Sequence, residues 1–416
     1  MLQLFHPTSH LNGKIQITGS KSESNRWLIL QQIFPELKEI TNLSNSEDTN
    51  KLKEALIRFN SRTRPQETPQ EIDIGHAGTA MRFLTAYFAV QPDCDIILTG
   101  SERMQQRPIE PLVTALNSMG CDISYIKNQG FPPLRIRGRE IEQKEVRIQA
   151  DISSQYITAL LLIASRLPQG LIIYFDGELT SRPYIEMTIH QLLSIDIQVK
   201  SFEKGIQIFP KKSISQHRVV VESDWSSASY WFSMMALSNA GEIELSSFSK
   251  SSLQGDALIQ DIYTKYFGVH SEIIDDTLRL KKVSNFKTPE YITLNLNHTP
   301  DIAQTIAVTC ASLKVKAILT GLHTLKLKET DRLQALQNEL KKVGVQADIT
   351  EDCIELKAFK EIKNTPEIST YQDHRMAMAF APMALKIKMR IQDETVVEKS
   401  YPTFWKDLNK LGFEID

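Results

Sequence analysis

The sequence predicts an α/β protein of two similar domains, each carrying three copies of a helix–strand unit. Three observations predict it. A polar helix start appears six times, at Ser22, Gly78, Ser153, Ser226, Thr299 and Asp373, with steps of 56, 75, 73, 73 and 74 residues. About ten mostly apolar residues follow each start, then a break and a β-type run such as Asp95-Ile96-Ile97-Leu98 or Leu171-Ile172-Ile173-Tyr174-Phe175. Between the starts lies a further amphipathic helix and strand, so each unit reads helix, strand, helix, strand. A unit of roughly 70 residues is too long for a simple solenoid repeat. At 416 residues the chain also exceeds one ordinary core. Six copies therefore divide into a first domain at 20–222 and a second at 1–19 plus 223–416, completed by the N-terminal strand.

Composition narrows the class. Hydrophobic residues make up 41% and charged residues 24%, as in ordinary globular chains. A formal net charge of −2 argues against bulk attraction to nucleic acid or an anionic membrane, so any electropositive site is local. The segment Met1-Leu2-Gln3-Leu4-Phe5-His6 lacks the basic-then-apolar pattern of a signal peptide, and no apolar run approaches a membrane span. Cys94, Cys121, Cys310 and Cys353 show no metal spacing and read as reduced thiols. A cytoplasmic protein is the expectation.

The elements follow from local chemistry. Ser22-Glu23-Ser24-Asn25-Arg26 opens a helix whose serines satisfy free N–H groups. The stretch 61–70 is polar and carries prolines, so it reads as a loop. Thr79 is a candidate cap for the second start, and Gly78 leaves amides open to a ligand oxygen. The segment from Pro108 to Met119 has helical apolar spacing and ends at Gly120, while a later cousin ends at Gly344; both glycines suit the left-handed C′ position. His217 to Glu222 reads as a strand at the domain boundary. Pro300 is acceptable in the fifth start, because an N1 proline removes only an amide that the helix leaves free.

Four constellations carry chemistry. Lys21 before the first helix and Arg26 one turn inside it make a phosphate or carboxylate seat, since a helix N-terminus carries partial positive charge. Gly75-His76-Ala77-Gly78-Thr79 forms a second seat, with Arg103 and Arg107 on a later loop; alone, each arginine reads as solvated. Lys326-Leu327-Lys328-Glu329-Thr330-Asp331-Arg332 occupies the equivalent loop of a later repeat, its alternating lysines suggesting an extended approach to a helix opened by Asp331 and Arg332. Tyr371-Gln372-Asp373-His374-Arg375 enters a small apolar helix, with Asp301 at the equivalent point one repeat earlier. If the halves face each other, a cleft would hold Lys21, Arg26, Arg107, Lys328, Arg332, Arg375 and Lys399. Asp301 and Glu329 would be carboxylates among cations, suited to proton transfer on a polyanionic substrate. The fourth start, Ser226 to Ser229, has no cation near it in sequence and reads as a plain cap. No Walker loop, paired-histidine metal site, nucleophile elbow or dinucleotide fingerprint is present.

Together, Gly19-Ser20-Lys21-Ser22-Glu23-Ser24-Asn25-Arg26, Ala77-Gly78-Thr79-Ala80-Met81-Arg82, Arg107-Pro108, Ser153-Ser154-Gln155, Lys328-Glu329-Thr330-Asp331-Arg332 and Asp373-His374-Arg375-Met376 resemble the EPSP synthase family of enolpyruvyl transferases. The resemblance runs from about residue 13 to Pro402. It implies two domains of three-fold internal repeats, an inverse α/β barrel architecture hinged around a central cleft. It also implies transfer of the enolpyruvyl group of phosphoenolpyruvate to the 5-hydroxyl of shikimate 3-phosphate, with phosphate released. The expected partners are these two small molecules alone, acting on a monomer without metal or organic cofactor. Carried over, Ser22, Arg26, Ser153, Ser154, Gln155, Ser181 and Lys328 look like shikimate-phosphate contacts. Lys21, Gly78, Arg107, Arg332, Arg375 and Lys399 look like phosphoenolpyruvate contacts, with Lys21 and Gln155 near both substrates and His374 beside them. Asp301 resembles the proton acceptor from the attacking hydroxyl, and Glu329 the donor to the enol methylene, with Lys21 as a further catalytic group.

Three departures stand out. The family usually has Asn at His76 and Pro at Phe83, and an Asn that contacts the shikimate ring is Thr324 here. These changes bear on substrate affinity and inhibitor response, and leave the acid, the base and the main cations in place. The related UDP-N-acetylglucosamine enolpyruvyl transferases carry a reactive cysteine in the loop before Arg-Pro. The loop from Gly100 to Pro108 has none. A non-catalytic anion-binding repeat protein would leave Asp301 and Glu329 unexplained.

Overall fold

A computed structural model describes residues 1–61 and 68–416. The chain forms two compact units, one of residues Ser20–Val221 and one of Met1–Gly19 with Glu222–Asp416. Most of the loop expected at 61–70 falls on residues 62–67, which lie outside the described residues. The helix Glu47–Asn60 ends before them and the strand Gln70–Asp73 begins after.

Among the described residues, five four-stranded sheets share one pattern, a parallel pair followed by two antiparallel neighbours. In the unit Ser20–Val221, Gln70–Asp73 runs parallel to Asp95–Thr99, which continues antiparallel to Leu134–Arg137 and then Asp122–Tyr125. Glu145–Gln149 and Leu171–Asp176 begin the second such sheet. In the other unit, Tyr291–Asn295 pairs parallel with Lys316–Thr320, and Glu367–Ile368 with Met389–Ile391. Parallel strands need a crossover. In these four pairs it is one of the repeated helices, Gly78–Ala89, Ser154–Ala164, Ala303–Leu313 or His374–Phe380.

The two remaining parallel pairs each join strands far apart in sequence but within one unit. His10–Ile15 joins Ala240–Ser246, while Leu37–Thr41 joins His217–Val220 in a sheet of only two strands. The strands flanking the helices Lys21–Ile33 and Trp225–Leu237 are thus exchanged where the chain crosses from one unit to the other.

Three helices form the middle of each unit. Lys21–Ile33, Gly78–Ala89 and Ser154–Ala164 pack on one another, as do Trp225–Leu237, Ala303–Leu313 and His374–Phe380. Apart from the polar ends of Lys21–Ile33, they are buried nearly all round, which is why their sequences lack a polar face. The outer helices are amphipathic. Two of them, Glu110–Ser118 and Arg332–Lys342, are followed by Gly120 and Gly344 at φ +98° and +77°, the left-handed positions expected. The four cysteines are free thiols. Among the described residues, no helix is long and apolar enough to cross a membrane.

Several start details differ from expectation. The first helix begins at Lys21, capped by Ser20 Oγ, because that hydroxyl reaches the Glu23 amide. Thr79 caps nothing: the second helix starts at Gly78 after Ala77, without a side-chain cap. Asp224, not a serine, caps Trp225–Leu237. His323–Leu327 forms a 3-10 turn where an extended approach was expected, and Lys326 turns away to pair with Glu351 at 2.8 Å.

Candidate active site

In the unit Ser20–Val221 the first three helix starts carry the polar side chains. Lys21 Nζ lies 3.0 Å from Asp48 Oδ2, a buried carboxylate of the helix Glu47–Asn60. Arg26 is buried. Its Nε donates to Thr188 Oγ1 at 2.8 Å, Nη1 to the Ser22 carbonyl at 2.6 Å, and Nη2 to Thr158 Oγ1 and the Tyr184 carbonyl. Burial lowers its pKa to about 10, which still leaves it charged at neutral pH. Four of its five N–H groups serve the protein itself, so Arg26 fixes Ser22 in place.

The second start is open where the first is capped. A Cβ on Gly78 would meet Arg107 Nη1 at 2.4 Å, so the guanidinium rests against the glycine backbone. Arg107 is 8% exposed, not solvated as its isolated position in the sequence implied, and its buried Nε finds no hydrogen-bond partner among the described residues. An orphaned buried donor at an uncapped helix N-terminus is a seat for an anion. Arg82 Nη2 and Tyr156 Oη both donate to the Pro108 carbonyl, at 2.7 and 2.6 Å, and so hold the loop that carries Arg107. His76 Nδ1 lies 2.9 Å from Ser101 Oγ, and Phe83 packs in the core beside the Arg26 guanidinium.

Ser153 caps the third start by accepting from the Gln155 amide, and Gln155 Nε2 donates to Thr79 Oγ1 at 3.4 Å. Ser154 is buried at the first helical position. Ser181 precedes Arg182–Ser194 with φ +50°, a left-handed conformation costly for a serine.

In the other unit, carboxylates and cations interleave around Arg332, which opens the helix Arg332–Lys342 and is 2% exposed. Its Nη1 lies 3.1 Å from Asp301 Oδ1, Nη2 2.8 Å from Glu329 Oε2 and Nε 2.6 Å from Asp373 Oδ2. Lys399 Nζ is 3.0 Å from Glu329 Oε1, Lys328 Nζ 3.5 Å from Asp301 Oδ1, and Arg375 Nη2 3.2 Å from Asp301 Oδ2. Burial alone raises the Asp301 pKa, but Arg375, Lys328 and Arg332 outweigh it and hold the carboxyl far below the ordinary range. Burial likewise works against the Arg332 charge, and Asp373, Glu329 and Asp301 more than restore it. His374 is buried, its Nδ1 3.7 Å from Asp373 Oδ1. The Thr324 hydroxyl is buried and finds no partner among the described residues.

The fourth start proves less plain than its sequence. Arg375 Nη2 donates to Ser226 Oγ at 3.2 Å, so a cation from 149 residues away sits on it. Sequence reasoning also missed Asp48 and Asp373 as partners of these cations, and Asp256, which accepts from Ser226 and Thr299. Asp373 had a local signal, as the cap that accepts from the Arg375 amide. Asp48 and Asp256 had none.

Paired carboxylates among fixed guanidinium groups can carry acid–base chemistry on an anionic ligand. The profile of the family EPSP synthase (3-phosphoshikimate 1-carboxyvinyltransferase) matches residues 5–408, and the chain belongs to that family. A 3-phosphoshikimate 1-carboxyvinyltransferase of Bacteroides fragilis is 42% identical over 421 residues, covering 100% of this chain and 99% of its own. One from Pasteurella multocida is 34% identical over 432 residues, covering 98% and 97%. The solved EPSP synthase of Acinetobacter baumannii has the same fold, with a TM-score of 0.74 at 22% identity over 100% of this chain and 99% of that one.

Proposed function

We propose that this chain transfers the enolpyruvyl group of phosphoenolpyruvate to the 5-hydroxyl of shikimate 3-phosphate, in the cytoplasm and as a monomer. The observation that carries this reading is the sharing of one buried guanidinium, Arg332, by Asp301 and Glu329. An enol carbon accepts a nucleophile only once its neighbour is protonated, so the reaction needs an acid and a base held close together. Glu329 gives a proton to the methylene carbon, the hydroxyl oxygen bonds to the adjacent carbon, and Asp301 takes the hydroxyl proton. The resulting tetrahedral adduct expels phosphate by breaking its C–O bond, the proton held by Asp301 passes to the departing phosphate, and the methyl group returns a proton to Glu329. The enol ether is restored without net change at either carboxylate.

Anion binding falls to the cations. Arg107 against Gly78, Lys21, Arg332, Arg375 and Lys399 serve the phosphate and carboxylate of phosphoenolpyruvate, where guanidinium forks bind bidentately. An anionic substrate competes with Asp301 and Glu329 for these partners and releases the carboxylates for proton traffic. Ser22, Ser153, Ser154, Gln155, Ser181 and Lys328 serve shikimate 3-phosphate, with Arg26 fixing Ser22. The unpartnered Thr324 hydroxyl meets the ring and His374 lines the same region. The test is an assay of phosphate released from phosphoenolpyruvate. Release that depends on shikimate 3-phosphate is expected; release without it, or none, contradicts the reading.

A further inference from the structure

We infer that Asp256 is a positioning residue for this reaction, tying the cation Arg375 and the base Asp301 into one closed ring of hydrogen bonds. The inference rests on the function proposed above. Asp256 lies in the 3-10 turn Gly255–Leu258, 2% exposed and remote in sequence from every motif. Ser226 Oγ donates to its Oδ2, and Thr299 Oγ1 donates to its Oδ1 at 2.5 Å. Each hydroxyl leads to a different functional group.

Ser226 is the bridge to the cation, since the same oxygen accepts from Arg375 Nη2 at 3.2 Å. A serine hydroxyl has one hydrogen and two lone pairs. With its hydrogen committed to Asp256, its lone pairs face Arg375. Thr299 immediately precedes the turn Pro300–Ile302, so its bond to Asp256 anchors the turn that presents Asp301. The ring closes because Arg375 Nη1 donates to the Asp301 carbonyl at 3.1 Å and Nη2 pairs with its carboxylate at 3.2 Å. Burial and the neighbouring Asp301 charge raise the Asp256 pKa, with Arg375, Ser226 and Thr299 opposing them. Nothing in the ring requires Asp256 to touch substrate.

The two arms separate experimentally. Ser226→Ala removes the bridge to Arg375 and is expected to raise KM for phosphoenolpyruvate about tenfold with kcat nearly kept. Thr299→Val frees the turn under Asp301 and is expected to lower kcat about tenfold with little change in KM. Asp256→Asn keeps the volume but leaves one acceptor oxygen for two donating hydroxyls, so at least one of the two effects is expected. Asp256→Glu is expected to recover part of each. Circular dichroism and melting temperature check that each variant is folded. If folded Asp256→Asn keeps wild-type kcat and KM, or if the two arms give the same kinetic change, the inference is overturned. Failure of the wild-type chain to release phosphate would instead overturn the proposed function.

Discussion

Asp301 and Glu329 are built differently although both lean on Arg332. Asp301 accepts from three cations and is held ionised, as a base must be before it takes a proton. Glu329 pairs with Arg332 through one oxygen and with Lys399 through the other. On the anion side proposed for Arg107, one methyl group at Gly78 is expected to decide function. Its added Cβ would lie 2.4 Å from Arg107 Nη1, closer than atoms approach, so the guanidinium must move. Gly78→Ala is expected to raise KM for phosphoenolpyruvate about tenfold or more, the cost of losing a hydrogen bond to a charged group. Melting temperature should stay near wild type. Steady-state kinetics at saturating shikimate 3-phosphate check it, and an unchanged KM contradicts the placement of Arg107.

Among the elements, the inner helices are tied by a buried chain of hydroxyls. Thr309 Oγ1 donates to the Thr305 carbonyl at 2.8 Å and accepts from Tyr263 Oη and Ser233 Oγ, at 2.7 and 2.8 Å. One oxygen thereby joins Trp225–Leu237, Ile259–Tyr266 and Ala303–Leu313. Thr309→Val keeps the shape and strands two buried donors, with an expected cost of about 1–3 kcal/mol for each one left unpaired. Thermal unfolding of the full chain reads it as a loss of several degrees. An unshifted transition would mean that the donors find other partners. Element existence was legible in the sequence because caps, apolar spacing and terminal glycines act within a few residues. Asp373, Asp331, Gly120 and Gly344 all signalled locally. The turn at His323–Leu327 did not, since alternating Lys326 and Lys328 mimic a strand while the chain is coiled there. Nor did Asp224 stand out beside the serines that follow it.

At the scale of the whole molecule, the repeats supply six helix starts, and their divergence is expected to decide which of them bind. Long-range partners were not legible: Asp256 meets Ser226 and Thr299 across 30 and 43 residues, and Asp48 meets Lys21 across 27. Periodicity carries no information on such pairs. The gathered charge also shapes stability. A carboxyl whose folded pKa lies below its unfolded value adds stability that is complete above the unfolded pKa, near 4, and is lost as pH falls. Asp301 is such a group. Melting temperature should therefore fall more steeply below about pH 4 in wild type than in Asp301→Asn, which starts lower at pH 7. Parallel curves would contradict the depressed pKa.

The proton cycle at Glu329 is tested most directly by deuterium exchange. With phosphoenolpyruvate and shikimate 3-phosphate in D2O, the wild-type chain should place deuterium on the methylene carbon of the enolpyruvyl group, read by proton NMR. Folded Glu329→Gln should bind both substrates and incorporate none. Incorporation by Glu329→Gln at the wild-type rate would contradict the assignment of the acid.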